Sequence, residues 1–285
     1  MKIGIITNPN KIAAQWVAEE VKSWARKNRI QIVFTQGVNE LSLEEYTSHQ
    51  AQHLNYVLVL GGDGTLLQAA RKLAPLGIPI LGINLGNLGF LTGIELSELQ
   101  EGLRALSNNE VDIEKRMMLE ATVVRNNLKT DKFLALNDVV ISKGSFARMI
   151  RIGMKVSDQM VGTLPCDGLI VSSPTGSTAY CLSAGGPIVS PELEAMIMTP
   201  ICPHNLYSRP MVVSPIEVIH IHLVTQGVEA MLTVDGQHGI HLGNEDIVEV
   251  RKSEFYVKLI QLKGRNFFEV LRHKMQEGSS KDEFI

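Results

Sequence analysis

Short apolar runs alternate with helically spaced apolar positions over the first third of the chain. Residues 3–7 form a nearly continuous apolar run closed by Asn8-Pro9-Asn10, which predicts a buried parallel strand followed by a turn. Ile12, Trp16, Val17, Val21 and Trp24 then recur at helical spacing, with Glu19, Glu20 and Lys22 off that stripe. Residues 31–35, 56–60 and 79–83 read as further strands. Between the last two, Leu66, Leu67, Ala69, Ala70 and Leu73 predict a helix. Strands alternating with helices argue for an open α/β sheet.

From about Glu114 the pattern changes. Residues 119–125, 133–142, 149–157, 168–173, 217–224, 230–234 and 247–251 read as strands at short intervals, and only 178–184 and 192–198 read as helical. The expectation is an α/β N-terminal domain with a parallel sheet, residues 1–114, followed by a mainly β C-terminal domain, residues 115–262. Residues 263–285 are expected to form a C-terminal helix and a polar, frayed tail. No internal repeat is visible.

Composition narrows the function. Hydrophobic residues make up 45% of the 285, so a sizeable core needs no disulfide staple. Aromatics at 5% argue against stacking platforms for single-stranded nucleic acid, and a net charge of -3 lacks a basic footprint. Cys166, Cys181 and Cys202 form no Cys-x-x-Cys pair and read as reduced thiols. The N-terminal apolar run is too short for a signal peptide and no segment has the length of a membrane span, so a cytoplasmic protein that engages no membrane is expected. His220 and His222 share one strand face, which reads as solvated because no third metal ligand is apparent nearby; His238 and His241 flank Gly239 in an expected loop.

Three stretches carry candidate chemistry. Gly61-Gly62-Asp63-Gly64-Thr65 lies between a strand and a helix. A helix N-terminus offers unpaired N–H groups and partial positive charge, and glycine permits positive φ and close backbone approach, so Gly61, Gly62, Gly64 and Thr65 are candidate phosphate contacts. The Gly-Lys-Ser/Thr ending of a Walker loop is absent. A carboxylate beside phosphates, Asp63, makes sense through Mg²⁺ or as acceptor of a proton from an attacking hydroxyl, and both point to phosphoryl transfer. The bland alternative is a Gly-rich turn with an Asp N-cap. Residues 82–91, which include Gly82, Gly86, Gly89 and Phe90, form a second Gly-rich stretch after a strand. In the third, residues 166–180, a strand runs into Pro174-Thr175-Gly176-Ser177-Thr178 and a short helix. Its hydroxyls and amides suit a ribose, a purine edge or a phosphate, or else simply cap the helix.

These stretches, with Asn137-Asp138-Val139-Val140-Ile141 and Asp235-Gly236-Gln237, resemble the NAD kinase family in order and spacing over most of the chain. The Gly-Gly-Asp-Gly tetrad alone is shared with diacylglycerol and sphingosine kinases and with phosphofructokinases; the Pro-Thr-Gly-Ser-Thr-Ala-Tyr segment is far more specific. The resemblance implies an α/β domain followed by a β-rich domain, the last helix packing back on the first, with NAD bound between them. It implies Asp63 as the proton acceptor and Asn137 as a contact to the adenosine part. Thr178, Ala179, Tyr180 and Ser183 would line the same pocket, with Asp167 on the nicotinamide side and Gln237 near the dinucleotide. Gly64 and Phe90 join the expected NAD contacts. Arg148 would hold NAD or reach a neighbouring subunit. Where the family usually has Asn-Glu this chain has Asn137-Asp138, a carboxylate one methylene shorter.

The implied reaction moves a phosphoryl group from ATP or polyphosphate to the 2′-hydroxyl of the adenosine ribose. A divalent metal, Mg²⁺, is expected to arrive with the nucleotide rather than in a protein cage. A homodimer or homotetramer is expected. Two rivals stand beside this reading: a lipid kinase sharing only the first motif, and a dinucleotide-binding regulator without catalysis.

Overall fold

The computed structural model describes residues 1–38, 54–86, 89–144, 149–225, 227, 229–264 and 266–279. The chain divides into two compact units, one formed by Met1–Lys115 with Val257–Ile285 and the other by Arg116–Tyr256.

In the first unit β1 (Lys2–Thr7), β2 (Gln31–Gly37), β3 (Tyr56–Gly61) and β4 (Ile80–Asn84) are parallel and lie in the order β2-β1-β3-β4. The short β5 (Ile94–Glu95) pairs with β4, as does Leu259 near the end of the last strand. The helices are α1 (Ile12–Lys27), α2 (Asp63–Leu73) and α3 (Leu99–Ser107). Ile3, Ile5, Leu58, Leu60, Leu81 and Ile83 pack against Val17 and Val21 of α1 and Leu103 and Leu106 of α3. The alternate residues Ile6, Val57 and Val59 are buried as well, so both faces of the sheet are covered. That is why these strands read as unbroken apolar runs. The helix α3 went unread in the sequence, because its nine residues carry too few turns to set a period.

The second unit is β-rich. The strand β6 (Val111–Arg125) enters it and pairs with β7 (Leu128–Ala135). A six-stranded antiparallel sheet runs in the order β13 (Met211–Val213), β12 (Met196–Ile201), β11 (Gly168–Ser172), β8 (Asp138–Lys143), β15 (Ala230–Val234), β16 (His238–Leu242). Antiparallel to one another, β10 (Gln159–Cys166), β9 (Ile150–Val156), β14 (Val218–Leu223) and β17 (Ile247–Leu262) follow in that order. Val139, Ile141, Leu169, Val171, Met196, Met198 and Leu232 share a core with Ile150, Ile152, Ile219, Ile221, Val248 and Val250. The opposite side of the six-stranded sheet, at Val140, Ile170 and Ile197, is covered by Cys181 of the single-turn helix α4 (Tyr180–Ser183). The terminal helix α5 (Phe267–Ser279) belongs to the first unit.

Four sequence expectations need correction. Residues 192–198 do not form a helix: Met196 and Met198 face one core and Ile197 the other, a period of two along β12. Residues 133–142 are two strands, because the chain leaves β7 and enters a different sheet as β8. Residues 238–242 are strand β16, not loop, reached through a tight turn with Asp235 and Gly236 at φ 49° and 64°. Residues 178–184 contain only the end of a 3₁₀ turn, Thr175–Thr178, and the short α4.

Gly4 sits at the middle of β1, where an added Cβ would meet the Phe34 ring at 2.3 Å. Gly4→Ala should therefore destabilise the first unit by about 1–3 kcal/mol, as overpacking does. Thermal unfolding followed by circular dichroism checks this; an unchanged midpoint would mean that Phe34 is free to swing away.

Candidate nucleotide-binding site

The strand β3 ends at Gly61 and α2 begins two residues later, so the tetrad is the strand-to-helix turn. The N-cap is Gly62, in extended conformation at φ -124°, and Asp63 is the first helical residue rather than a cap. None of Gly61, Gly62 and Gly64 adopts positive φ, so left-handed backbone is not the reason for glycine there. At Gly61 the reason is contact: a Cβ would lie 2.4 Å from Thr65 Oγ1. Thr65 is buried and its hydroxyl accepts a hydrogen bond from Asn8 Nδ2 at 3.1 Å, so its side chain fastens the turn. At Gly62 a Cβ would meet nothing within 4 Å, so the space before the helix N-terminus is open.

Asp63 is held by the second Gly-rich stretch. Phe90 N–H donates to Oδ2 at 2.9 Å and Leu91 N–H to Oδ1 at 3.3 Å. The backbone comes so close that a Cβ on Gly89 would sit 2.0 Å from Oδ1. Burial raises the Asp63 pKa above the usual carboxylate range; the amides of Phe90, Leu91 and Thr92 and the charge of Lys274 on α5 pull it only partly back. Asn87 and Leu88 lie outside the described residues.

In the second unit the Asn137-Asp138 pair opens β8. Asp138 points to the face covered by α4 and is 4% exposed. Burial first, and the neighbouring Asp235 carboxylate second, push it up to about 7. The side-chain oxygen of Asn137 is buried without a hydrogen-bond partner, an uncommon and costly state for a polar atom. Gly176 approaches the Asn137 carbonyl so closely that a Cβ would meet it at 2.1 Å. The hydroxyls of the 172–178 segment turn inward. Ser173 Oγ donates to Leu136 O at 2.5 Å and accepts from Gly176 N; Ser177 Oγ donates to Pro174 O at 2.7 Å and accepts from Val189 N at 3.0 Å; Thr178 Oγ1 donates to Thr175 O at 3.3 Å. They brace the turn, and no side chain caps the helix that follows.

The remaining expected contacts are scattered within this unit. Tyr180 is 45% exposed, so it is not a core tyrosine, and Ser183 is exposed beside it. Asp167 forms a half-exposed ion pair with Lys143 at 2.8 Å. Gln237 follows the Asp235-Gly236 turn and its N–H donates to Val234 O. Arg148 lies outside the described residues. The expectation for the histidines changes in one respect: Glu249 stands across from His220, Oε1 to Nε2 at 3.8 Å, although among the described residues no three His, Cys, Asp or Glu gather into a metal group.

Residues 3–111 match the family model of the ATP-NAD kinase N-terminal domain, and residues 136–262 match that of the ATP-NAD kinase C-terminal domain. The chain belongs to the NAD kinase family. An NAD kinase of Caldanaerobacter subterraneus is 46% identical over 280 residues, covering 97% of this chain and 99% of that protein. One from Moorella thermoacetica is 45% identical, with 99% and 91% covered. Among solved structures, an NAD kinase from Archaeoglobus fulgidus in complex with ATP matches with a TM-score of 0.76 at 26% identity, over 97% of this chain and 99% of that one. Yeast NADH kinase complexed with NADH shares the fold, with a TM-score of 0.84 at 20% identity over 97% and 87% of the chains. The chain thus has the two-domain NAD kinase fold, and a match over both halves removes the lipid-kinase rival, which shared only the tetrad.

Sequence reading passed over three residues that the geometry brings forward: Asn8, which ties down Thr65; Lys274, whose charge reaches Asp63; and Asp235, beside Asp138. Asn8 and Asp235 carried turn signals, Asn-Pro and Asp-Gly, which speak of backbone rather than chemistry, and Lys274 carried none.

The raised Asp138 pKa has a consequence for stability. The folded protein holds a proton on Asp138 up to about pH 7, whereas an unfolded aspartate releases it near 3.8. Between those values the native state binds more protons, so its stability falls as pH rises. Asp138→Asn, which cannot ionise, should unfold at a higher temperature than the parent at pH 8 and lose less stability between pH 5 and 8. Parallel melting curves across that range would show that Asp138 does not titrate there.

Proposed function

We infer that the chain transfers a phosphoryl group from ATP, or from polyphosphate, to the 2′-hydroxyl of the adenosine ribose of NAD, forming NADP. Membership of the NAD kinase family supports the reaction, and the observation that carries the mechanism is Asp63: a buried carboxylate with raised pKa, pinned by two backbone N–H groups at the mouth of a helix N-terminus. A raised pKa makes a better base. Each oxygen keeps a further lone pair, so one of them takes the ribose proton as the hydroxyl attacks phosphorus. The open space before Gly62 suits the transferred phosphoryl group and the helix end offsets its charge.

On the adenosine side, the unpartnered Asn137 oxygen calls for a donor, which the adenine amino group supplies. Asp138 meets a ribose hydroxyl. Thr178, Ala179, Tyr180 and Ser183 line the pocket, Asp167 lies toward the nicotinamide, and Phe90, Gly64 and Gln237 complete the contacts. The family and its ATP-bound relative support a divalent metal associated with the nucleotide, Mg²⁺ in our reading. When bound, that metal neutralises phosphate charge. Self-association into a homodimer or homotetramer is supported by the exposed apolar side chains Leu206, Tyr207 and Ile216. No helix among the described residues is long and apolar enough to cross a membrane; a cytoplasmic location belongs to our reading of the chain as an NAD kinase.

Purified protein given NAD, ATP and Mg²⁺ should form NADP; binding of NAD with no NADP formed would favour the regulator. Asp63→Asn should lower kcat at least about 100-fold, the usual loss for a general base, while NAD affinity measured by calorimetry changes much less. Near-parental turnover in that variant would remove Asp63 from the chemistry.

A further inference from the structure

Residues 136–138 lie where the chain passes from one sheet to another, so their amides have no ladder partner. Asp235 takes all three. Leu136 N–H donates to Oδ2 at 3.1 Å, and Asn137 N–H and Asp138 N–H donate to Oδ1 at 2.8 and 3.2 Å. In return Asp235 N–H donates to Asp138 O at 2.9 Å. Three successive N–H groups turned toward one carboxylate form a backbone nest, an arrangement that selects an anion. Asp235 is 7% exposed and sits at φ 49° in the turn before β16. A buried carboxylate in a left-handed conformation costs free energy, which the three donors offset. The stretch it grips carries the two side chains proposed to read adenosine.

We propose that Asp235 is a positioning residue for nucleotide binding: by gripping the 136–138 amides it presents the Asn137 side-chain oxygen and the Asp138 carboxyl to the ligand in one preformed geometry. This rests on the reading of the chain as an NAD kinase. It adds a residue that touches no substrate atom and acts through two that do. Its negative charge has a second effect, since it stands beside Asp138 and holds that carboxyl in its protonated form to higher pH. The other titratable group facing Asp138 is the Cys181 thiol of α4, itself pushed up by burial; Ser172 of β11 and Thr199 of β12, which hydrogen-bond that thiol, are uncharged. Burial remains the first cause of the Asp138 shift, and Asp235 is the one charge among these neighbours that adds to it.

The test is Asp235→Asn, which keeps the shape but loses the charge and one acceptor. NAD binding is measured by calorimetry without phosphoryl donor from pH 5.5 to 8.5, together with steady-state kinetics. The Kd and KM for NAD should rise about tenfold, the loss expected for one hydrogen bond to a charged group, with kcat reduced much less. The pH at which NAD affinity changes should also move to lower values, because the like charge beside Asp138 is gone. A folded variant with parental KM, or one whose pH inflection stays in place, overturns the proposal. Should the variant fail to fold, hydrogen exchange in the parent protein decides: the 136–138 amides should be protected before NAD is added and gain little on binding. Fast exchange in the free protein would mean the geometry is not preformed and would equally overturn it. A parent protein that neither binds NAD nor forms NADP sinks the underlying reading, and this inference with it; NADP formation by the parent with parental constants in the variant sinks the inference alone.

Discussion

A strand that changes sheets leaves backbone donors behind it, and a buried donor without a partner costs more than a hydrogen bond returns. In the second unit that constraint falls on residues 136–138, between β7 and β8, and the Asp235 carboxylate meets it. Much follows from this contact. It fixes where β8 begins, and so the register in which Asp138 lies opposite Ser172 and Val139 opposite Val234. With that register set, Val139 and Ile141 enter the sandwich core while Asp138 and Val140 face α4. A slip of one residue would exchange the two sets and bury the carboxyl among the core side chains.

The glycines of the motifs obey a related rule. They read in the sequence as licences for left-handed backbone, yet those of the first two motifs keep ordinary conformations. Their common feature is close approach. Gly61 accommodates Thr65, Gly89 accommodates the Asp63 carboxylate, and Gly176 accommodates the Asn137 carbonyl, each within 2.4 Å of where a Cβ would be. At Gly89 and Gly176 the missing side chain lets one motif lie directly against another; at Gly61 it lets the turn close on its own Thr65. The tetrad and residues 82–91 are thereby one object, a carboxylate and its cradle, although the donors lie 27 and 28 residues beyond Asp63 along the chain.

Periodicity made the first unit's strands and its first two long helices legible, because both sheet faces are covered by helices and the strands are unbroken apolar runs. The second unit was legible in kind and less so in detail. Short apolar segments such as Met196-Ile197-Met198 fit a helix or a doubly buried strand equally well until their neighbours are known. Residues 159–166 hold apolar residues at 160, 161, 164 and 166 without a sustained alternation, and went unread, yet they complete β10 through pairing with β9. Candidate chemistry was legible through the motifs: Asp63, Asn137 and Asp138 stood out from their surroundings. The hydroxyls of residues 173–178 carry a bracing duty that the sequence did not display. A tight turn has its own unsatisfied carbonyls, and Ser and Thr serve those first.

Two carboxyls, Asp63 and Asp138, are both lifted by burial, and their surroundings separate the uses they suit. Asp63 accepts two backbone N–H groups and feels a lysine, which favour its charged form and partly oppose the rise that burial causes. A buried carboxylate held in that way suits a proton acceptor. Asp138 faces a like charge instead, so near pH 7 it is divided between protonated and ionised forms. A group in that state donates as readily as it accepts, which fits a ribose hydroxyl able to do both. The aspartate at this position is held short and buried beside Asp235, and the raised pKa follows from that burial first and from the like charge second.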